Sequence, residues 1–138
     1  MVKKDVTYLS NAQYARLLGV ISEERGRLIL QVLYETGCTV NELVNIKVSD
    51  VDFEQNIIKF PSDNTKTHRS RVSHVSKRLI ETVDNFVKPG LLYLFSTRQS
   101  GQITTKRVRQ LILAFSKKAK LIKVTPQIIR YTHLAHAL

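Results

Sequence analysis

With 138 residues, 43% of them apolar and 7% aromatic, the chain is the size of one domain and can bury an ordinary core, which excludes a disordered polymer. Its net charge of +11 is unevenly spread: all 11 Asp and Glu lie in residues 1–84 beside 12 Lys and Arg, whereas residues 85–138 hold ten Lys and Arg and no acid. A one-signed stretch of that kind attracts a polyanion, because cations bound to phosphates release condensed counterions, and the absence of an amphipathic segment with exposed large apolar residues argues against a membrane surface as that polyanion.

In chain order, Ser10-Asn-Ala-Gln13 reads as a capping box opening a first helix, with Tyr14, Leu17, Leu18 and Ile21 on one face. A second helix is predicted from about Glu23 to Thr36, with Leu28, Ile29, Val32 and Leu33 inward and Gly37 as its stop. Thr39-Val-Asn-Glu42 is another capping box, opening a short helix with Leu43 and Ile46 inward. The period then changes. Ile57–Phe60 comes after the turn-like Glu54-Gln-Asn56 and reads as a strand, as does Arg71–Val75, although Val72 does not fit that strand's face cleanly. The polar, basic segment Pro61–Ser70 between them is the loop of a β-hairpin. Ser76 caps a fourth helix carrying Leu79, Ile80, Val83 and Phe86, ended by Pro89-Gly90. Leu91–Phe95 is apolar and reads as a short buried strand or extended segment, and Ser96–Gly101 as a loop. Thr104 or Thr105 opens the longest helix, with Val108, Leu111, Ile112, Phe115 and Ala119 on one face and Lys106, Arg107, Arg109, Lys117, Lys118 and Lys120 on the others. Thr125-Pro126 starts a last helix that is expected to be still running at Leu138.

Cys38 is the single cysteine, so no disulfide framework forms within the chain, and a reducing, cytoplasmic compartment fits. No apolar run approaches the roughly 20 residues needed to span a bilayer, and Met1–Asp5 has no apolar segment of signal-peptide length, so no membrane association is expected. The histidines and Cys38 lack metal-ligand spacing, and neither a metal nor a cofactor is expected. The fold class is α+β: a mostly helical single domain over residues 1–138 with a small antiparallel hairpin or sheet.

Five blocks carry a resemblance. Leu33-Tyr-Glu-Thr-Gly-Cys-Thr-Val-Asn-Glu-Leu43 is similar to the Leu-Tyr-x-Thr-Gly-x-Arg-x-Ser-Glu-Leu block of tyrosine recombinases of the phage integrase and Xer type, and Ile46–Asp52 is similar to the next segment of those enzymes. Lys66–Val75 resembles that family's basic hairpin, Tyr93-Leu-Phe95 the Tyr-Leu-Phe before its next helix, and Thr125-Pro-Gln-Ile-Ile-Arg-Tyr-Thr132 its Thr-Pro-His-x-Leu-Arg-His-Thr. The resemblance runs from about Tyr8 to Leu138 and implies the catalytic-domain fold of such enzymes, lacking the C-terminal helices.

In that family a tyrosine hydroxyl attacks a DNA phosphodiester, leaving a 3′-phosphotyrosine and a free 5′-hydroxyl. Two arginines clamp the phosphate, a hairpin lysine protonates the leaving oxygen, and two His, or His and Trp, assist. The resemblance places Lys66 at the hairpin lysine, five residues before Arg71, and Arg130 at the second clamp arginine. Thr39 stands at the first clamp position and Gln127 at the first histidine, while the second His or Trp and the tyrosine would fall beyond Leu138. Other readings stand beside these. Lys66 is also an ordinary loop lysine, Arg130 a structural arginine paired to a buried acceptor, and Thr39 a helix N-cap worth about 1 kcal/mol. Tyr131 occupies the position of the family's histidine after the arginine, where its helical neighbours suggest packing rather than a substitute nucleophile.

Losing one preorganised charge-stabilising donor typically costs about 10²–10³ in rate, and here several groups are missing together, so an inactive chain is favoured. The expected function is duplex DNA binding by an integrase-type domain associated with site-specific recombination or integration, through Lys66, Arg69, Arg71, Lys106, Arg107 and Arg109. Two alternatives are a working recombinase completed by a partner chain or a longer native protein that supplies the tyrosine, and an interaction module that regulates a full-length integrase. A second copy of the chain or a full-length recombinase is then a further partner.

Overall fold

Among the residues described by the computed structural model, 7–97 and 101–138, helices form at α1 (Asn11–Gly19), α2 (Glu24–Thr36), α3 (Val40–Val44), α4 (Lys77–Phe86), α5 (Thr105–Lys118) and α6 (Pro126–His136). Strands β1 (Val51–Asp52), β2 (Ile57–Phe60) and β3 (Arg71–His74) form one antiparallel sheet in that order. Met1–Val6, with the absence of a signal segment expected there, and Arg98–Ser100 of the expected loop lie outside the described residues.

The caps predicted from local chemistry are in place. Ser10 Oγ accepts the Gln13 N–H at 3.1 Å while Gln13 Oε1 accepts the Ser10 N–H at 2.9 Å. Thr39 and Glu42 exchange the same pair of bonds at 3.1 and 2.9 Å. Ser76, Thr104 and Thr125 each accept an N–H three residues on, so the longest helix opens at Thr104. Each cap satisfies an N–H that has no partner inside its own helix.

α2 is the centre of the fold. Its buried residues are not one stripe: Leu28, Ile29 and Leu30 are all sealed in succession, with Val32, Leu33 and Thr36 beyond them. A helix buried around most of its girth must be covered on several sides, and α4, α5 and α6 all pack against it. Gly26 permits the close approach of α5, since a methyl there would meet Phe115 Cζ at 2.7 Å.

α6 is tied to both α2 and the N-terminal strap. Thr132, fully buried, accepts the Leu9 N–H at 2.9 Å and donates to the Ile128 carbonyl at 2.8 Å. His136 Nε2 donates to the Leu9 carbonyl at 2.8 Å, which leaves Nδ1 to accept from the Tyr34 hydroxyl at 2.7 Å. Tyr14 stacks on Tyr34 with ring centroids 3.9 Å apart, and burial pushes the Tyr14 phenol well above its ordinary range, so it is a neutral packing group.

Two expectations are refined. The sheet has a third strand: Val51 and Asp52 pair with Ile58 and Ile57 across a turn in which Asp52 Oδ1 accepts two backbone N–H groups and Asn56 is left-handed at φ 58°. Leu91–Phe95 is only half buried. Leu94 and Phe95 are sealed while Leu91 and Leu92 face outward, and the segment pairs at one residue, Tyr93 with Lys47. The last helix runs through His136 as expected, and Ala137 is still right-handed helical with its N–H bonded to the His133 carbonyl at 3.1 Å.

Val72, which fitted its strand poorly in the sequence, points out of the sheet and is exposed. Residues 61–70 are not an open loop. Ser62–Asn64 makes one tight turn, and buried Thr65 closes the base by accepting the Arg69 N–H at 3.0 Å and donating to the Arg69 carbonyl at 2.8 Å. What projects is a short tip, Lys66-Thr-His68, with His68 at φ 55°. Among the described residues no helix is long and apolar enough to cross a membrane.

Candidate nucleic-acid interface

Two adjoining clefts share Thr39 and Arg130: α5, the start of α3 and the start of α6 border one, and the hairpin, α3 and the middle of α6 border the other. The larger, about 680 Å³, is floored by Cys38, Val40, Leu113, Val124 and Pro126 and edged by Lys106, Arg109, Lys123 and Arg130, with Gln127 at its side and no acid in its lining. The smaller, about 380 Å³, is lined by Lys66, Arg71, Arg130, Glu42, Thr65 and His133, among others. Residues far apart in the chain are thereby gathered on one face.

Each side chain reaches its place for a local reason. Thr125 and Pro126 start α6 so that Gln127 and Arg130, three residues apart, share a helical face toward the clefts. Arg130 is exposed and has no hydrogen bond or ion pair to the described residues, so the reading as a structural arginine with a buried acceptor finds no support. Lys66 is exposed at the hairpin tip. Thr39 Oγ1 is engaged in capping α3, and its side chain brings no charge to the position it occupies.

Arg71 is committed elsewhere. One guanidinium nitrogen donates to Glu42 Oε1 at 3.0 Å, the other donates to Ser73 Oγ at 3.1 Å, and the group lies 4.3 Å over the Phe60 ring. The Glu42 side chain is 7% exposed and that of Arg71 39%, so Arg71 neutralises a nearly buried carboxylate before it has anything to offer a ligand. Sequence reasoning could not see this bond, because 29 residues separate the partners.

Of the other expected contacts, Lys106 and Arg109 line the larger cleft, whereas Arg69 and Arg107 are exposed but line neither. Two residues that sequence reasoning did not single out join the site. Lys123 belongs to the acid-free stretch, and His133 lies three positions after Arg130 on α6, a spacing that could have flagged it.

Neither Cys38 nor Tyr131 is suited to nucleophilic attack. Burial pushes the Cys38 thiol up to about 12, so it stays protonated and unreactive although it floors the larger cleft. Tyr131 lines neither cleft, since one step along α6 turns it about 100° from Arg130. Among the described residues no three His, Cys, Asp or Glu side chains gather as a metal site requires. The arrangement can hold anionic oxygens by charge and hydrogen bonding.

Comparison with known proteins finds the same architecture. Residues 7–138 match the phage integrase family. Tyrosine recombinase XerA of Pyrococcus horikoshii is 29% identical over 136 residues, covering 94% of this chain and 47% of that protein. XerA of Thermococcus kodakarensis is 30% identical over 138 residues, covering 94% and 48%. The crystal structure of XerA recombinase superposes with a TM-score of 0.86 at 28% identity, covering 99% of this chain and 52% of that one. XerH site-specific recombinase bound to its difH substrate shares the fold, with a TM-score of 0.79 at 19% identity. The chain thus spans about half the length of the relatives it matches.

Proposed function

The chain belongs to the phage integrase family, and from that premise we propose that it is an integrase-type DNA-binding domain, of a kind associated with site-specific recombination, that grips backbone phosphates at its twin clefts without cutting the strand. The observation that supports this reading is the convergence of Lys66, Lys106, Arg109, Lys123 and Arg130 on two clefts whose one acid, Glu42, is already paired. DNA is the polyanion that structural neighbours handle: the Tn1549 transposon integrase is solved in complex with a circular intermediate DNA.

Phosphate contacts of this type predict a steep salt dependence. With about four phosphates neutralised, affinity for a duplex of about 30 base pairs should fall roughly a hundredfold between about 50 and 200 mM salt. Fluorescence anisotropy at several salt concentrations measures it. Absence of binding at the lowest salt, or binding indifferent to salt, overturns the reading.

The non-cutting half rests on Thr39, Gln127 and Tyr131. Thr39 and Gln127 supply neither the clamp charge nor the imidazole that the resemblance assigns to their positions, and Tyr131 is turned away from the clefts. Substituting Thr39→Arg returns a charge but removes the α3 cap, at a cost of about 1 kcal/mol, and supplies no attacking group. A suicide substrate carrying a nick or a bridging-sulfur phosphate should therefore give no covalent protein–DNA band on a denaturing gel with these 138 residues, wild type or T39R. A band from wild type would sink this half of the proposal and leave DNA binding intact.

A further inference from the structure

We infer that His133 is a phosphate ligand of the smaller cleft, completing with Lys66 and Arg130 a three-pronged cationic site for one backbone phosphate; this rests on the DNA-binding reading above. Where the resemblance leads one to look for an imidazole one helical turn before Arg130, the chain has Gln127. It carries an imidazole one turn after Arg130 instead, and i, i+3 spacing puts both side chains on the cleft face of α6.

The ring is held in one orientation. His133 Nδ1 lies 2.7 Å from the Tyr34 carbonyl, which can only accept, so Nδ1 carries a proton. The ring packs on Gly37 through Cδ2, where the missing side chain leaves room for it, and Gly37 itself lines the cleft. Nε2 has no hydrogen-bond partner among the described residues. Phosphodiester oxygens are acceptors too, so Nε2 can meet one only as a protonated nitrogen, and seating the phosphate requires the imidazolium. The charged and titratable groups that share this cleft are Lys66 and Arg71 from the hairpin, Glu42 from α3 and Arg130 from α6, with Tyr34 of α2 behind the ring. Glu42 is engaged by Arg71 and by the Thr39 N–H. Lys66 and Arg130 are the cations left for the anion.

The test is histidine-ring NMR on the wild-type chain with ¹⁵N-labelled imidazoles, assigned through the backbone, with duplex DNA added at low salt and constant pH. The His133 Nε2 resonance should move toward the doubly protonated range, while His74 and His136, which line neither cleft, stay in place. In parallel, His133→Gln should weaken duplex binding by about threefold to tenfold, the loss of one charge-assisted hydrogen bond at a partly exposed site. Duplex that binds without moving the His133 ring overturns the inference and leaves DNA binding standing, with His133 acting only to tie α6 to α2. If no duplex binds, the DNA-binding reading itself fails. Titration with inorganic phosphate then decides whether an anion site exists there: a shift at His133 supports it, and none overturns it.

Discussion

Substituting Gly37→Ala should destabilise the fold by about 2–5 kcal/mol, the sum of about 1–2 for a non-glycine residue held left-handed and about 1–3 for overpacking. Gly37 ends α2 at φ 66°, where its N–H bonds the Leu33 carbonyl at 3.0 Å. An added methyl would also fall within contact distance of the His133 ring, 3.0 Å from Cγ and Nε2 with Cδ2 closer still. The ring cannot swing aside freely, because its other nitrogen is bonded to the Tyr34 carbonyl. Gly90 is a natural control: it is also left-handed, at φ 84°, with nothing near the place its methyl would take. Gly90→Ala should cost only the backbone part, and the difference between the variants reports the α2–α6 contact. Thermal denaturation followed by circular dichroism measures both, with each kcal/mol worth about 3–5 °C for a chain of this size. Equal losses from the two variants would mean that α6 does not press on Gly37.

The double substitution Lys66→Ala, Arg130→Ala should lower duplex affinity roughly a hundredfold at low salt, since each charge-assisted phosphate contact at an exposed site is worth about 1.5 kcal/mol. It should also reduce the salt slope by about two, one for each contact removed. Melting should barely move, because both side chains are exposed and neither has a partner among the described residues. Arg71→Ala is the contrasting variant. It strands the nearly buried Glu42 carboxylate and uncovers Phe60, at a cost of about 1–3 kcal/mol, below the figure for a fully buried pair because Arg71 is part-exposed. Grouping Arg71 with Lys66 and Arg69 as interchangeable loop cations would therefore confuse loss of fold with loss of binding. Unchanged affinity of the double variant at low salt would remove the clefts from the interface.

What the sequence determined alone about this protein is whatever depends on neighbours within about four residues. The boxes at Ser10 and Thr39, the caps at Ser76, Thr104 and Thr125 and the left-handed stop at Gly37 each close a hydrogen bond or set a φ angle inside a single turn, so residue identity and spacing suffice. The motif order from Leu33 to Thr132, read as a series of such short blocks, also named the family. The tertiary structure decided everything that turns on two distant segments meeting. Val51–Asp52 is too short to show a period, and becomes a strand only because β2 is beside it. Leu91 and Leu92 are as apolar as Leu94 and Phe95, yet only the latter two face the core. Arg71 reads as one more loop cation until Glu42 is brought to 3.0 Å, and His133 as one more residue of α6 until the packing of α6 on α2 sets its Nδ1 2.7 Å from the Tyr34 carbonyl. The physical reason is the same in each case. A cap is fixed by local geometry, whereas a cleft is the space left where separately formed elements pack, and its lining depends on how those elements cross.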